Sequence, residues 1–364
     1  MTVKKILKWL EEVKAVLLMI VVQFCFADVN VFYKLAMNDA MNMQILVAYR
    51  FIFASLFLIS LAFLFERKKR PKLTKTILFQ AFLCGIFGGT LNQNTYAESL
   101  EYTSVTFATA MVNLIPAVTF ILAISFGLEK LRIRRAEGKA KVVGTIMGIG
   151  GAMVLTFYKG EEIKIWSTHF NLMKVVKLPH ELSRKASSEK IGLIYSIANC
   201  LCFSVWLIIQ GKMSEKYPYP YSASALMSTM AAFQSTVFAL CFHSDLSHWK
   251  LGWNIRLFTT AYAGIVVQGM MITVMIWCVS IKGPLFATCF YPLMLLFAAI
   301  EGSLLLDEQL HLGSIIGATL IVLGLFAVLW GKNKEIKMSQ LPIISTTTQQ
   351  EDDSNNENKA EEKV

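Results

Sequence analysis

The stretch Gly85–Leu131 reads GIFGGTLNQNTYAESLEYTSVTFATAMVNLIPAVTFILAISFGLEKL, and the stretch Gly264–Leu310 reads GIVVQGMMITVMIWCVSIKGPLFATCFYPLMLLFAAIEGSLLLDEQL. Placed on each other with a shift of 179 residues and no gap, they share Gly-Ile at the start, Phe-Ala-Thr in the middle and Glu-x-Leu at the end. A six-residue deletion then places Gly144 on Gly317. Few positions are identical, but a register held over 47 residues indicates an internal repeat.

The composition is poor in charge and rich in apolar side chains. Of the 364 residues, 55% are hydrophobic and 16% are charged, and the mean hydropathy is +0.52. Soluble proteins have about 25% charged residues, so a soluble globule, a disordered chain and a disulfide scaffold are excluded. Because a helix needs roughly 20 apolar residues to cross a bilayer, the chain has room for about ten membrane spans.

Ten apolar runs alternate with polar loops along the chain. The first run is over 20 residues long and lacks a small-residue cleavage site, so we expect a span and not a cleaved signal. The predicted spans lie at 15–36, 43–65, 76–97, 104–126, 141–158, 190–210, 222–242, 257–278, 284–306 and 312–330. The predicted organisation is a cytosolic N-terminal segment at 1–14, a first five-helix repeat at 15–158, a polar linker at 159–189, a second five-helix repeat at 190–330 and a disordered cytosolic tail at 331–364.

An odd number of spans in each repeat gives the two repeats opposite orientations in the membrane. The expected fold class is therefore all-α and integral to the membrane, with ten transmembrane helices arranged as two inverted five-helix repeats. The loops after the second and fourth spans are rich in Lys and Arg, whereas the counterpart of the latter in the second repeat, Asp307–His311, has none. Since basic loops stay cytosolic, both termini are predicted to be cytosolic. The linker is the misfit, because it carries Lys and Arg on the predicted outer side.

The net charge of +10 is concentrated in short loops beside the apolar runs, at 67–72 and 132–135. Such clusters orient a membrane protein and contact anionic lipid. We therefore expect the lipid bilayer, and no nucleic acid, as a partner.

Signatures of enzymes and of metal sites are absent. No GxSxG, HExxH or Walker-type motif occurs, and all five histidines fall in predicted loops. Six of the seven cysteines lie inside apolar runs without CxxC spacing. The sequence predicts a protein that is not an enzyme and has no catalytic residues, no cofactor and no metal site.

Polar residues inside the spans are costly in hydrocarbon, and they tend to face a cavity or a partner helix. Thr109, Asn113 and Pro116 share one helix face, and Pro116 frees a backbone carbonyl near mid-membrane. Hydrogen bonds between helices are the alternative role of such residues. A pocket of this kind suits a small polar or zwitterionic solute with an apolar part, and it suits phosphates poorly. The predicted cavity residues are Gln93, Asn94, Tyr96, Thr109, Asn113, Pro116, Trp206, Gln268, Trp277, Thr288 and Tyr291.

Two charges inside the first two spans, Asp28 and Arg50, lie at similar predicted depths, so we expect a buried salt bridge between them. The alternative is that Arg50 extends towards the interface while Asp28 faces the cavity as a proton site. Glu301 is expected at the outer membrane interface.

Glycines at helical spacing occupy the fifth and tenth spans. Small side chains four residues apart let helix backbones approach closely. We expect these helices to pack on each other, within one chain or between the subunits of a homodimer. The glycines concerned are Gly144, Gly148, Gly313 and Gly317.

Several motifs match a known family. They include AYRFIFA (Ala48–Ala54), NQNTYAESLEYTSVTFATAMVNLIPAVTFILA (Asn92–Ala123) and the run from Gly283 to Glu335. The chain resembles the plant nodulin-like members of the drug/metabolite transporter superfamily, the Walls-Are-Thin-related or UMAMIT proteins, which have two EamA repeats. Departures from the family pattern are Asp28 in place of glycine, Tyr291 in place of asparagine, and Glu301 in place of an apolar residue.

The resemblance implies a ten-span facilitator or exporter of amino acids or auxin-like metabolites in a plant membrane. We expect a secondary transporter working by alternating access, in the plasma membrane in preference to the vacuolar membrane. A membrane receptor or scaffold that keeps the fold without the flux is the alternative. A nucleotide-sugar carrier is disfavoured, because an intramembrane Lys/Arg cluster is lacking. Proton coupling through Asp28 and facilitated diffusion both stay open.

Overall fold

Helices make up almost all of the described chain. The computed structural model describes residues 3–39, 41–68, 70–102, 111–129, 135–158, 160, 162–163, 189–242, 249–305, 310–313 and 315–335. In the first repeat, TM1 is Val3–Asn38, TM2 is Met43–Glu66, TM3 is Lys75–Cys84 followed by Gly85–Leu91 and Asn92–Tyr102, TM4 contains Ile115–Ser125, and TM5 is Ala136–Phe157.

The second repeat has the same sequence of segments. TM6 is Glu189–Lys216, TM7 is Pro220–Phe242, TM8 is Ile255–Ala261 followed by Tyr262–Met271 and Ile272–Lys282, TM9 is Pro284–Thr288 followed by Tyr291–Leu305, and TM10 is Ile315–Glu335. Two-residue strands β1 (Glu162–Ile163) and β2 (Leu310–His311) pair antiparallel between the repeats. The predicted all-α fold of two five-helix repeats is confirmed.

Large apolar side chains cover the outer surface of the bundle. Leu64, Phe233 and Phe326 are examples from three different helices that are exposed in the protein alone. Six helices, TM1, TM2, TM6, TM7, TM8 and TM10, are long and apolar enough to cross a membrane. An apolar exterior of this kind is stable only against lipid, so the chain is a multi-pass integral membrane protein.

The middle of TM3 and the middle of TM8 are π-helical. These segments, Gly85–Leu91 and Tyr262–Met271, overlap when the chain is shifted by the 179 residues of the sequence repeat. Glycine lets each segment approach a neighbouring helix: a Cβ on Gly85 would lie 3.0 Å from the backbone nitrogen of Ala231 in TM7, and one on Gly264 would lie 2.7 Å from the carbonyl oxygen of Arg50 in TM2. TM3 on TM7 and TM8 on TM2 are equivalent contacts, as an inverted repeat requires.

TM4 and TM9 are each interrupted by a turn before a proline. The turn at 113–114 precedes Pro116, and the turn at 289–290 precedes Pro292. Because proline has no backbone N–H, it leaves a carbonyl one turn earlier without its helical donor. Broken helices at comparable places in both repeats are typical of transporter sites.

TM5 and TM10 pack with their backbones in contact, within one chain. A Cβ on Gly144 would lie 2.6 Å from the carbonyl oxygen of Gly324, and one on Gly151 would lie 2.8 Å from that of Gly317. Gly144 and Gly317 are thus the predicted glycines that make these contacts, against Gly324 and Gly151 of the facing helix.

The other two predicted glycines have different surroundings. Gly313 lies against the backbone of Tyr158, just beyond the end of TM5. A Cβ on Gly148 would lie 3.9 Å from Pro292, which is ordinary contact. The backbone of Gly148 nevertheless lies close to TM10, because a Cβ on Gly324 would lie 2.6 Å from its nitrogen.

TM2 and TM7, which are equivalent helices of the two repeats, form the most extensive helix pair. At one end of this pair the buried carboxylate of Glu66 accepts hydrogen bonds from the backbone N–H groups of Tyr221 (3.2 Å) and Ser222 (2.7 Å). These groups lie in the first turn of TM7, where N–H donors have no partner in their own helix. A carboxylate from TM2 thus caps TM7.

Candidate functional site

The guanidinium group of Arg50 lies among neutral side chains in the interior of the bundle. The residue is 5% exposed. Its Nη1 donates to the hydroxyl of Tyr33 (2.7 Å) and to Oε1 of Gln93 (3.2 Å), and its Nη2 donates to Oε1 of Gln268 (3.0 Å). TM1, TM2 and TM3 of the first repeat and TM8 of the second therefore meet at one charge.

The predicted salt bridge between Asp28 and Arg50 is wrong. Asp28 accepts a hydrogen bond from the hydroxyl of Tyr262 (3.2 Å), and among the described residues no ion pair includes Arg50. The reason is helix phase. Tyr33 is the TM1 residue that faces Arg50, and five residues of helix rotate a side chain by about 140°, so Asp28 faces another side.

Aromatic side chains form a wall beside this charge. The ring of Phe203 lies 5.0 Å from that of Trp206 and 5.1 Å from that of Tyr291, both edge to face. Trp206 is fully buried and lies against the π-helix of TM3, where a Cβ on Gly88 would come within 2.5 Å of the indole. Phe203 thus brings together Trp206 and Tyr291, two of the cavity residues predicted from the sequence. Phe203 itself is not among the predicted residues.

Two buried donors at this contact, Nε of Arg50 and Nε2 of Gln268, have no hydrogen-bond partner in the described part of the chain. Elsewhere in the spans, Nε1 of Trp206, Oδ1 of Asn94 and both amide atoms of Gln23 are also without one. A buried polar atom without a partner costs about 1–3 kcal/mol. The two donors at Arg50 and Gln268 mark a place where a polar ligand can supply the missing bonds.

A polar contact between TM3 and TM6 fixes the helix that carries Gln93. Nδ2 of Asn199 donates to the carbonyl oxygen of Asn92 (2.8 Å), and Nδ2 of Asn92 donates to the carbonyl oxygen of Asn199 (3.4 Å). The side chain of Gln93 in turn donates to Oδ1 of Asn92 (3.2 Å). This contact leaves Oε1 of Gln93 oriented towards Arg50.

Other predicted cavity residues lie elsewhere or bond within their own helices. The hydroxyl of Thr288 donates to Pro284 (3.3 Å), and the amide of Asn94 donates to Thr90 (2.7 Å). Trp277 has Nζ of Lys14 over its ring at 5.6 Å. Of the remainder, Tyr96 is half-buried, Asn113 and Pro116 are buried, and Thr109 lies outside the described residues.

Sequence reasoning missed Tyr33 and Phe203. Each lies in an apolar run, where an aromatic residue is ordinarily core. Tyr33 carried the one available signal, since it shares a helix face with Gln23 and Asn30 on TM1.

Ionic contacts join the repeats at both ends of the bundle. At one end Nζ of Lys141 lies 3.3 Å from Glu129 and 2.8 Å from Glu335, and Lys332 also contacts Glu129. At the other end Nε of Arg256 in TM8 lies 2.6 Å from Asp39, just after TM1. The site around Arg50 lies between these two ends.

Comparison with known proteins gives the family. The EamA-like transporter family model matches residues 13–157 and 190–330. Two WAT1-related proteins of Arabidopsis thaliana are 45% identical over 327 residues (89% of this chain, 91% of the relative) and 40% identical over 324 residues (89% and 91%). An auxin-induced protein of Pinus taeda is 35% identical over 336 residues (91% and 82%).

One solved crystal structure shares the fold, with a TM-score of 0.63 and 16% identity, covering 86% of this chain and 98% of that chain. At this identity the likeness concerns the fold alone. The two matched repeats and the identity to the Arabidopsis relatives determine the family. The chain is therefore a WAT1-related member of the EamA-like transporter family, whose members are membrane transporters of small solutes.

Proposed function

We propose that this chain is a secondary transporter of small organic solutes that carry a carboxylate, such as amino acids or auxin-like metabolites. The main observation in support of this proposal is that the buried guanidinium group of Arg50 has only neutral hydrogen-bond partners in the described chain. Neutral oxygens accept from its two terminal nitrogens, but they leave a full positive charge in a medium of low dielectric constant.

A solute carboxylate would neutralise this charge. Its two oxygens match the fork of a guanidinium group, and such charge-assisted bonds are roughly twice as strong as neutral ones. The partnerless Nε of Arg50 and Nε2 of Gln268 are donors available to it. The wall of Phe203, Trp206 and Tyr291 offers an apolar surface for the rest of the solute, as amino acids and auxin-like compounds require.

The position of the charge between the repeats supports alternating access. Gln93 belongs to the first repeat and Gln268 to the second, so movement of one repeat against the other changes the surroundings of Arg50. We further propose that repeats 15–158 and 190–330 are the moving bodies. The end with Lys141 would be cytosolic, both termini would be cytosolic, and the membrane would be the plasma membrane.

The test is flux through the full chain in liposomes. We expect counterflow of labelled amino acids or of an auxin, and at least a tenfold weaker exchange of the matching amides and decarboxylated amines. Equal exchange of a carboxylate and its amide would contradict the proposal. Binding of carboxylates without flux of any tested solute would favour the receptor or scaffold role instead.

A further inference from the structure

Glu301 of TM9 is a buried acid without a hydrogen-bond partner. The residue is 7% exposed, and neither carboxyl oxygen is bonded to a donor in the described chain. The predicted position of Glu301 at the outer membrane interface stays a prediction. TM9 packs on TM1 at this level. Four residues before each acid, the rings of Phe24 and Phe297 lie 5.6 Å apart, so the carboxyl group of Glu301 is within electrostatic reach of Asp28. Two ionised carboxylates are acceptors only, so they cannot bond to each other.

Among the side chains that the structure describes, no cation is paired with either acid. Asp28 accepts from the hydroxyl of Tyr262 in TM8 (3.2 Å), and the thiol of Cys25 is within reach of the same tyrosine and of both acids. TM5 also packs on TM9, and it has no titratable side chain between Lys141 and Tyr158. The described ion pairs include neither acid.

We propose that Asp28 and Glu301 form a proton-binding site that couples transport to the proton gradient. One carboxyl group takes a proton from water and donates it in a hydrogen bond to the other carboxylate, which leaves a single negative charge that the Tyr262 hydroxyl also stabilises. Two like charges in one site oppose each other's ionisation, and hydrocarbon surroundings increase this opposition. The coupling role rests on the proposed transport function.

A proton fits this site better than a metal ion does. In the described residues no group of three or more His, Cys, Asp and Glu side chains is placed to hold a metal. The fold thus brings together two acids from TM1 and TM9, which points to a joint role.

The π-helix of TM8 connects the proton site with Arg50. Tyr262, the donor to Asp28, is the first residue of this segment, and Gln268, the acceptor for Arg50, lies six residues further on. π-helical segments often occur at functional sites. A change in the charge on Asp28 alters the hydrogen bond of Tyr262 at one end of the segment. Binding of the solute alters the hydrogen bond between Gln268 and Arg50 at the other end.

The first experiment measures solute accumulation in liposomes under a pH difference, with the membrane potential clamped. For one proton per solute, one pH unit changes the accumulation ratio of the wild-type chain by up to about tenfold. We expect Glu301→Gln to lose this response, because its amide donates to Asp28 as a protonated acid does, while counterflow exchange continues. Asp28→Asn tests the same point from TM1 if the first variant folds poorly. Glu215→Gln, at an exposed position at the end of TM6, is the control and keeps the response.

A second readout does not depend on transport. Infrared difference spectra between acid and alkaline buffer are expected to show the C=O band of a buried protonated carboxyl, which Glu301→Gln and Asp28→Asn lose. Wild-type accumulation that follows a sodium gradient and ignores pH would overturn the proposal, and so would spectra in which both variants keep the band. Absence of wild-type counterflow alongside the band would instead refute only the transport function.

Discussion

Arg50 marks the proposed binding site, because none of its hydrogen-bond partners in the described chain carries a negative charge. A structural arginine in a protein interior is paired with a carboxylate, and removing one partner of such a pair costs about 3–5 kcal/mol. Arg50 is buried yet contacts one hydroxyl and two amide oxygens. In the absence of solute it is a source of instability, which is the state expected of a group kept for binding.

Replacing Arg50 therefore has opposite effects on stability and on binding. We expect Arg50→Gln to unfold at the same temperature as the wild-type chain or higher in the absence of solute, because an uncompensated buried charge is removed. Its half-saturation concentration for a transported carboxylate should rise by at least about 100-fold, for the loss of two charge-assisted bonds worth about 1.5–3 kcal/mol each. Thermal unfolding and concentration-dependent counterflow measure the two effects.

Two control variants test this prediction, one at a second arginine beside TM2 and one at Arg50 itself. Arg67→Gln removes an exposed arginine just after TM2 and should change neither quantity. Arg50→Lys keeps the charge without the fork and should weaken binding by about tenfold. A fall in the unfolding temperature of Arg50→Gln, with unchanged half-saturation, would show that Arg50 is structural.

At the scale of helices, glycine contacts decide how closely the repeats pack. On TM5, a Cβ at Gly144 meets a backbone carbonyl of TM10, whereas a Cβ at Gly150 has nothing within 4 Å. Gly148 lies between these cases, with ordinary contact only. The Gly-x-x-x-Gly spacing on TM5 thus identifies the pair of helices that pack closely, without identifying which of its glycines directs its Cβ position at TM10.

Three alanine substitutions on this helix separate close packing from helix propensity. Gly144→Ala should lower the free energy of unfolding by about 1–3 kcal/mol, because the backbone of TM10 must move. Gly150→Ala should raise it by up to about 1 kcal/mol, since alanine favours the helix and meets no neighbour. Gly148→Ala should resemble Gly150→Ala. Denaturation of the purified chain in detergent tests the order, and equal destabilisation by all three would contradict it.

Helices and their repeat register can be predicted from this sequence, but the faces that meet cannot. Apolar run length determines the spans, and the aligned glycines determine which helices are equivalent. Which side of TM1 faces TM2 depends on rotation about the helix axis. The sequence therefore predicts Asp28 as the partner of Arg50, whereas in the structure the TM1 partner of Arg50 is Tyr33. In TM3 and TM8 the π-helical turns rotate the following side chains about the helix axis. The spacing of three or four residues that identifies one face of an α-helix does not include this rotation.

The whole molecule has ionic contacts at both ends and the proposed binding site between them. Alternating access requires that one set breaks while the other holds. The two sets differ in strength, because Lys141 and Glu129 are almost completely buried, whereas the side chains of Arg256 and Asp39 are 29% and 43% exposed. Exposed pairs contribute little to stability, so the end with Lys141 should be the harder one to open.

Removing the carboxylate from the stronger end should open it. In Glu129→Gln the amino groups of Lys141 and Lys332 lose the shared anion between them and repel each other. A shift of about 1.4 kcal/mol towards the open conformation raises its population about tenfold.

Cys289 lies in the turn of TM9, is buried, and is within electrostatic reach of Glu129 and Lys332. We therefore expect several-fold faster maleimide labelling of Cys289 from that side, quantified by mass spectrometry. Glu215→Gln supplies the comparison, since it removes an exposed carboxylate from the end of TM6 without touching this network, and an equal labelling rate in both variants would show that these lysines do not hold the end closed.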